Sequence, residues 1–127
     1  MKYLCLVYHE EAKLGELSAS ERDALVAELL EHCEELRRCG HYVASAPLQP
    51  RQTGATIRVR HGRLSVAEGP LAEAREQLSA FYLIDARDLN EAIRLAAGIP
   101  LARLGCIEVR PILALEQREP PARPCAQ

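Results

Sequence analysis

Two segments of this chain are apolar on both faces, which limits the folds open to it. Residues 2–9 (KYLCLVYH) and 78–86 (LSAFYLIDA) are near-continuous runs of strand-forming residues. Strands that face water on one side alternate polar and apolar residues; these do not, so they read as covered on both sides. Only two segments can provide helical cover. In the first, Leu25, Val26, Leu29, Leu30, Cys33 and Leu36 recur at helical spacing behind a Ser18-Ala-Ser-Glu21 capping pattern, with Ser20 as an equally good cap. Arg37 and Arg38 suit the helix C-terminal end and Gly40 its stop, which predicts a helix over about residues 20–39. In the second, Asp88 caps and Glu91 completes the box. Leu89, Ala92, Ile93 and Ala96 form the apolar face, and Gly98 and Pro100 end it.

Between the two helices, residues 41–48 (HYVASAPL) predict a strand that stops at the Pro47 and Pro50 region. Residues 55–60 and 63–68 flank His61-Gly62, a two-residue turn of the kind that closes hairpins. Pairing Arg60 with Arg63 sets Val59 against Leu64 and Ile57 against Val66, leaving Thr56, Arg58, Ser65 and Ala67 on the other side. A last strand spans residues 105–113, where Ile107 and Val109 alternate with Glu108 and Arg110. The order is strand, helix, strand, hairpin, strand, helix, strand. It predicts an α+β, ferredoxin-like antiparallel sheet with both helices on one face. The uncovered apolar face then calls for a second copy of the chain, a sheet-to-sheet homodimer.

With 127 residues, 48% of them hydrophobic, the chain reads as one globular domain over 1–114 with a polar, proline-bearing, loosely ordered tail over 115–127. A net charge of −2 offers no field for nucleic acid or acidic lipid. No apolar run reaches the ~20 residues of a membrane helix. The start, Met1 to Tyr8, lacks the features of a secretion signal. The five cysteines form no CxxC pair and read as reduced thiols of a cytoplasmic protein. His and Cys spacings match no metal site, so neither metal nor cofactor is expected.

The stretch from Glu68-Gly-Pro-Leu71 through Glu76-Gln-Leu78, Ser79-Ala80 and Phe81-Tyr-Leu-Ile84 resembles the signature of the YciI-like, DGPF-type family. The opening residues 1–8 and closing residues 107–112 are similar to the ends of the same family, so the likeness covers about residues 1–114. It implies a ferredoxin-like fold of the dimeric α/β-barrel type, with no well-established activity. It also implies a genomic association with alternative sigma factors, and hence a possible sigma-factor partner. This chain departs from the family pattern at Glu68 (for Asp), Leu71 (for Phe), Arg75 (for Lys) and Ser79-Ala80 (for Gly-Gly). The YciI branch also carries a His-Asp pair, its His in an RPxH stretch; no such stretch exists here, so that mechanism does not transfer.

Candidate residues follow from these patterns. Glu68 in Glu-Gly-Pro is either a turn residue or a carboxylate aimed into a cleft. Arg75 is either half of a solvated pair with Glu76 or a ligand contact. Arg110 is expected to face away from the helices, where it binds an anion or pairs with Glu108 or a partner carboxylate. His9 ends the first strand at a cleft rim, as a base or as a polar strand end. His32 flanks the helix stripe and is expected at the surface. The expected site is a small-molecule cleft at the dimer seam around Arg110, Glu68 and Tyr82, with chemistry of the cofactor-free lyase or isomerase type. The competing expectation is a non-enzymatic regulatory or interaction module.

Overall fold

The computed structural model describes residues 1–70 and 74–115. Strand β1 (Lys2–Glu10) leads into a short helix α1 (Glu11–Gly15) and a long helix α2 (Ala19–Arg38), followed by β2 (Tyr42–Pro47). The hairpin β3 (Ala55–Arg60) and β4 (Arg63–Glu68) comes next, then β5 (Glu76–Asp85), α3 (Leu89–Ala97) and β6 (Gly105–Pro111). Four strands form one sheet in the order β2-β5-β1-β6, and every ladder in it is antiparallel. The two apolar runs thus become the central strands, and the arrangement is the ferredoxin-like one.

One face of this sheet holds the core. Tyr3, Cys5 and Val7 of β1 and Ala80, Tyr82 and Ile84 of β5 pack with Leu25 and Leu36 of α2 and Ala92 and Ala96 of α3. Burying such side chains stabilises a domain by roughly 1.5–3 kcal/mol each. The other face carries Leu4, Leu6, Phe81 and Leu83, which are only partly covered.

Helix α2 is capped by Ser18 rather than Ser20. The Ser18 hydroxyl accepts from the Glu21 amide, and the Glu21 carboxylate accepts from the Ser18 amide. Its inward stripe is narrower than the sequence pattern. Leu25 and Leu36 are buried and Leu29 and Cys33 pack beside them, but Val26 and Leu30 face solvent. At about 100° per residue, Val26 and Leu30 drift about 100° and 140° from Leu25, whereas His32 falls within about 20° of it. His32 is therefore half-buried rather than on the surface, and its ring meets Tyr82 edge-on with centroids 6.3 Å apart.

The hairpin forms with the expected register, Val59 opposite Leu64 and Ile57 opposite Val66. His61 and Gly62 both take positive φ, 53° and 73°, as a two-residue turn demands. It is a separate two-stranded sheet whose four aliphatic side chains are 59–67% exposed. The segment after His9, expected as a polar loop, begins with α1, which brings Leu14 against the core. The tail from residue 116 onward and Leu71 lie outside the described residues. Among the described residues, no helix is long and apolar enough to cross a membrane.

Candidate functional site

The end of β1 concentrates the chemistry. Alternation along β1 puts Tyr3, Cys5, Val7 and His9 on the helix-facing side. His9 sits where that side runs out of apolar cover, between Gln77 of β5 and Gly105 of β6. It is 5% exposed, and neither of its ring nitrogens has a hydrogen-bond partner among the described residues. A buried polar group left in this way costs about 1–3 kcal/mol, so it needs a reason to be there. Burial holds the ring below its ordinary pKa of 6.5, with Glu11 opposing the shift, so the neutral form is favoured.

A pocket of about 340 Å³ opens beside this ring, within the size range of small-ligand sites. Four stretches of chain converge on it. Helix α1 brings Glu11 and Leu14, the first turn of α2 brings Arg22, the segment after β2 brings Leu48 and Pro50, and β5 brings Gln77, Leu78 and Ser79. The walls are tied down locally. The Arg51 amide donates to the Glu11 carboxylate at 2.9 Å, the Leu48 amide to the Ser79 carbonyl at 2.7 Å, and the Gln77 amide group to the Ala74 carbonyl at 2.7 Å. Ser79 is the extra residue of a β-bulge opposite Val7 and Tyr8, and its hydroxyl donates to the Val7 carbonyl. Bulges re-aim side chains at strand ends, and this one separates the core residue Ala80 from the pocket-lining Leu78. A second pocket adjoins the first through Glu11 and Gln77 and is lined by Glu10, Arg51, Ala74 and Arg75.

The other expected residues fall in different places. Tyr82 pairs with Cys5 on the helix-facing side, whereas Arg110 pairs with Leu4 on the opposite face. Tyr82 is buried against His32 and Cys33, and burial raises its hydroxyl well above the ordinary range. Glu68 ends β4 in the separate hairpin and is exposed, with Gly69 beside it turning the chain at a positive φ of 87°. The cleft expected from the sequence around Arg110, Glu68 and Tyr82 therefore does not assemble within one chain, because strand alternation sends Tyr82 and Arg110 to opposite sides. Arg110 does face away from the helices, in line with Glu108 on the same side of β6. Glu108 accepts a long hydrogen bond from the Tyr8 hydroxyl at 3.5 Å, and burial together with Glu108 raises the Tyr8 pKa. Arg75 lines the second pocket, and Glu76 pairs across the ladder with Glu10.

Sequence reasoning missed Glu11, Arg22, Arg51 and Gln77. Only Gln77 left a trace, as a polar residue opening an otherwise apolar strand. It proves to be buried, directly across the ladder from His9.

Comparison with known proteins places this geometry among relatives. A family model described as YCII-related domain matches residues 1–116. An uncharacterized protein of Rhizobium meliloti (strain 1021) is 33% identical over 124 residues, covering 96% of this chain and all of that protein. Among solved structures, the 5-chloro-2-hydroxyhydroquinone dehydrochlorinase of Burkholderia phenoliruptrix AC1100, in complex with 2,5-dihydroxybenzoquinone, superposes with a TM-score of 0.52. That match covers 89% of this chain and 94% of the other at 15% identity, a likeness of fold.

Proposed function

The chain belongs to the YCII-related domain family, and from that premise we propose that it is a small homodimeric protein binding a small molecule in the His9 pocket and moving a proton on it without a cofactor. The observation that carries this is His9 itself, an imidazole held in a buried pocket wall with both nitrogens unpartnered among the described residues, where burial favours the neutral form. A neutral ring has one nitrogen lone pair to accept a proton and one N–H to donate. Taking a proton from one ligand atom and returning it to another is an isomerisation. Taking it while a leaving group departs with the bonding pair is an elimination. A dehydrochlorinase on the same fold supports the second class by analogy of fold.

The partly covered Leu4, Leu6, Phe81 and Leu83 support a second copy packed on the open face, with Arg110 and Glu108 along its border. The thiols of Cys5, Cys33, Cys39 and Cys106 are unpaired and support a reducing, cytoplasmic setting.

A thermal-shift screen of a metabolite library against wild-type protein and His9→Gln tests the proposal. Compounds that raise the wild-type Tm and leave folded His9→Gln unmoved are expected. A library without one such compound contradicts it.

A second reading has its own observation. Ile57, Val59, Leu64 and Val66 form an exposed aliphatic face on a hairpin that, among the described residues, pairs with no further strand, and isolated hairpins are marginally stable. That favours an interaction module with a protein partner, for which the family resemblance suggests an alternative sigma factor. Loss of binding to that factor on Val59→Arg would support it.

A further inference from the structure

The two adjoining pockets differ in chemistry, and together they describe a ligand. The pocket beside His9 is largely apolar, lined by Leu14, Leu48, Pro50 and Leu78, with Arg22 and Glu11 as its charged groups. The second pocket, about 500 Å³, is largely polar and carries the cations Arg51 and Arg75. The two share Glu11 and Gln77 as a common border and so lie side by side.

The charges of the polar pocket are not equivalent. The Glu11 carboxylate is engaged by the Arg51 backbone amide at 2.9 Å. Glu10 stands across the ladder from Glu76, so two carboxylates already share that edge of the sheet. The ion pairs among the described residues include neither Arg51 nor Arg75. Two guanidinium groups outside every ion pair among the described residues, in a pocket that borders an apolar one, suit a planar anion, which Arg can bind through two parallel N–H donors. A neutral ligand would leave these donors to water.

Resting on the reading of the His9 pocket as a small-molecule site, we propose that its ligand is an amphipathic carboxylate. Its ring or branched apolar body lies against Leu14, Leu48, Pro50 and Leu78 beside His9, and its carboxylate lies between Arg51 and Arg75. An aromatic or alicyclic monocarboxylate of about ten non-hydrogen atoms fits the apolar compartment, since pockets of about 300 Å³ hold ligands of this class.

The test uses the full chain with benzoate, benzamide and benzylamine, three probes of one shape and different charge. Binding is followed by the ring 15N signals of His9, with His41 and His61 as internal references. Benzoate is expected to shift His9, with a Kd at least tenfold below that of benzamide, and benzylamine to bind least. In the double variant Arg51→Gln/Arg75→Gln the preference for benzoate should fall to within twofold of benzamide, with the unliganded Tm unchanged within a few degrees. Equal binding of benzoate and benzamide by the wild type, preference for benzylamine, or silence of all three overturns this inference. The underlying pocket reading fails separately, when the metabolite library also contains nothing that moves His9.

Discussion

The backbone of His9 lies directly beneath Gly105. A Cβ at position 105 would stand 2.7 Å from the His9 Cα and closer still to the Tyr8 carbonyl oxygen. β6 begins here against β1, and only hydrogen fits at the crossing. The sequence of one strand therefore sets the position of a histidine on its neighbour. Gly105→Ala is expected to lower stability by about 1–3 kcal/mol, the usual range for forcing an extra carbon into packed structure. Ligand-induced shifts of His9 should weaken more than stability alone accounts for. Urea unfolding and His9 ring signals measured on the same samples check both. A variant that is both fully stable and fully responsive would show that the two strands do not meet in this way.

Acid should weaken the fold before its carboxylates titrate. Burial holds both His9 and His32 below the ordinary 6.5, so the unfolded chain takes up their protons more readily than the folded one. The stabilisation is complete above about pH 6.5 and declines as pH falls through that value towards the lower folded pKa. Urea midpoints should therefore drop between about pH 6.5 and pH 5, above the carboxylate range. His9→Gln should flatten part of that slope and His32→Gln another part. A midpoint constant across this window would contradict the buried neutral state of both rings.

In the proposed homodimer, a charge placed on the open sheet face should separate the copies. Leu6 lies at the centre of that face, on β1 with Phe81 of β5 across from it. Leu6→Arg is expected to shift the solution mass from twice 14.1 kDa to 14.1 kDa by light scattering at ~10 µM, with the circular dichroism of a folded chain retained. Wild-type protein that runs at 14.1 kDa under the same conditions would remove the dimer.

Ser18→Ala removes the oxygen that accepts from the Glu21 amide, at 3.1 Å. The expected loss is about 1 kcal/mol. Ser20→Ala should cost less, because among the described residues its hydroxyl bonds to that of Ser18, at 3.2 Å, rather than to a helix amide. Equal losses in urea unfolding would mean that the cap is not where the helix begins.

Much of the fold was readable because local chemistry and tertiary packing agree. His61-Gly62 demanded positive φ and received it. Asp88 caps α3 through the Glu91 amide, and the apolar runs at 2–9 and 78–86 became the two central strands. The site was less readable for physical reasons. Helix α1 has five residues, too few for a periodic pattern to emerge. The bulge at Ser79 shifts the side-chain alternation of β5, and no residue type announces it. His32 looked like a flank of its helix because Val26 and Leu30 made the stripe appear wider than the face that packs. His9 was visible as a candidate, but the pocket beside it is closed by Arg22 of α2, Leu48 and Pro50 after β2 and Leu78 of β5, which are remote from it in sequence. Tyr82 and Arg110 lie on opposite faces because the ladders set them against Cys5 and Leu4, a register that the sequence alone does not specify.

Ring 15N NMR of His9, recorded while the full-length protein is titrated with every compound that stabilises it, bears most directly on whether this pocket is the working site. The expected result is a neutral ring in the free protein whose signals move to saturation with at least one compound, while those of His41 and His61 stay in place. Stabilising compounds that leave the His9 signals still, or a free-state ring already hydrogen-bonded at both nitrogens, would contradict it.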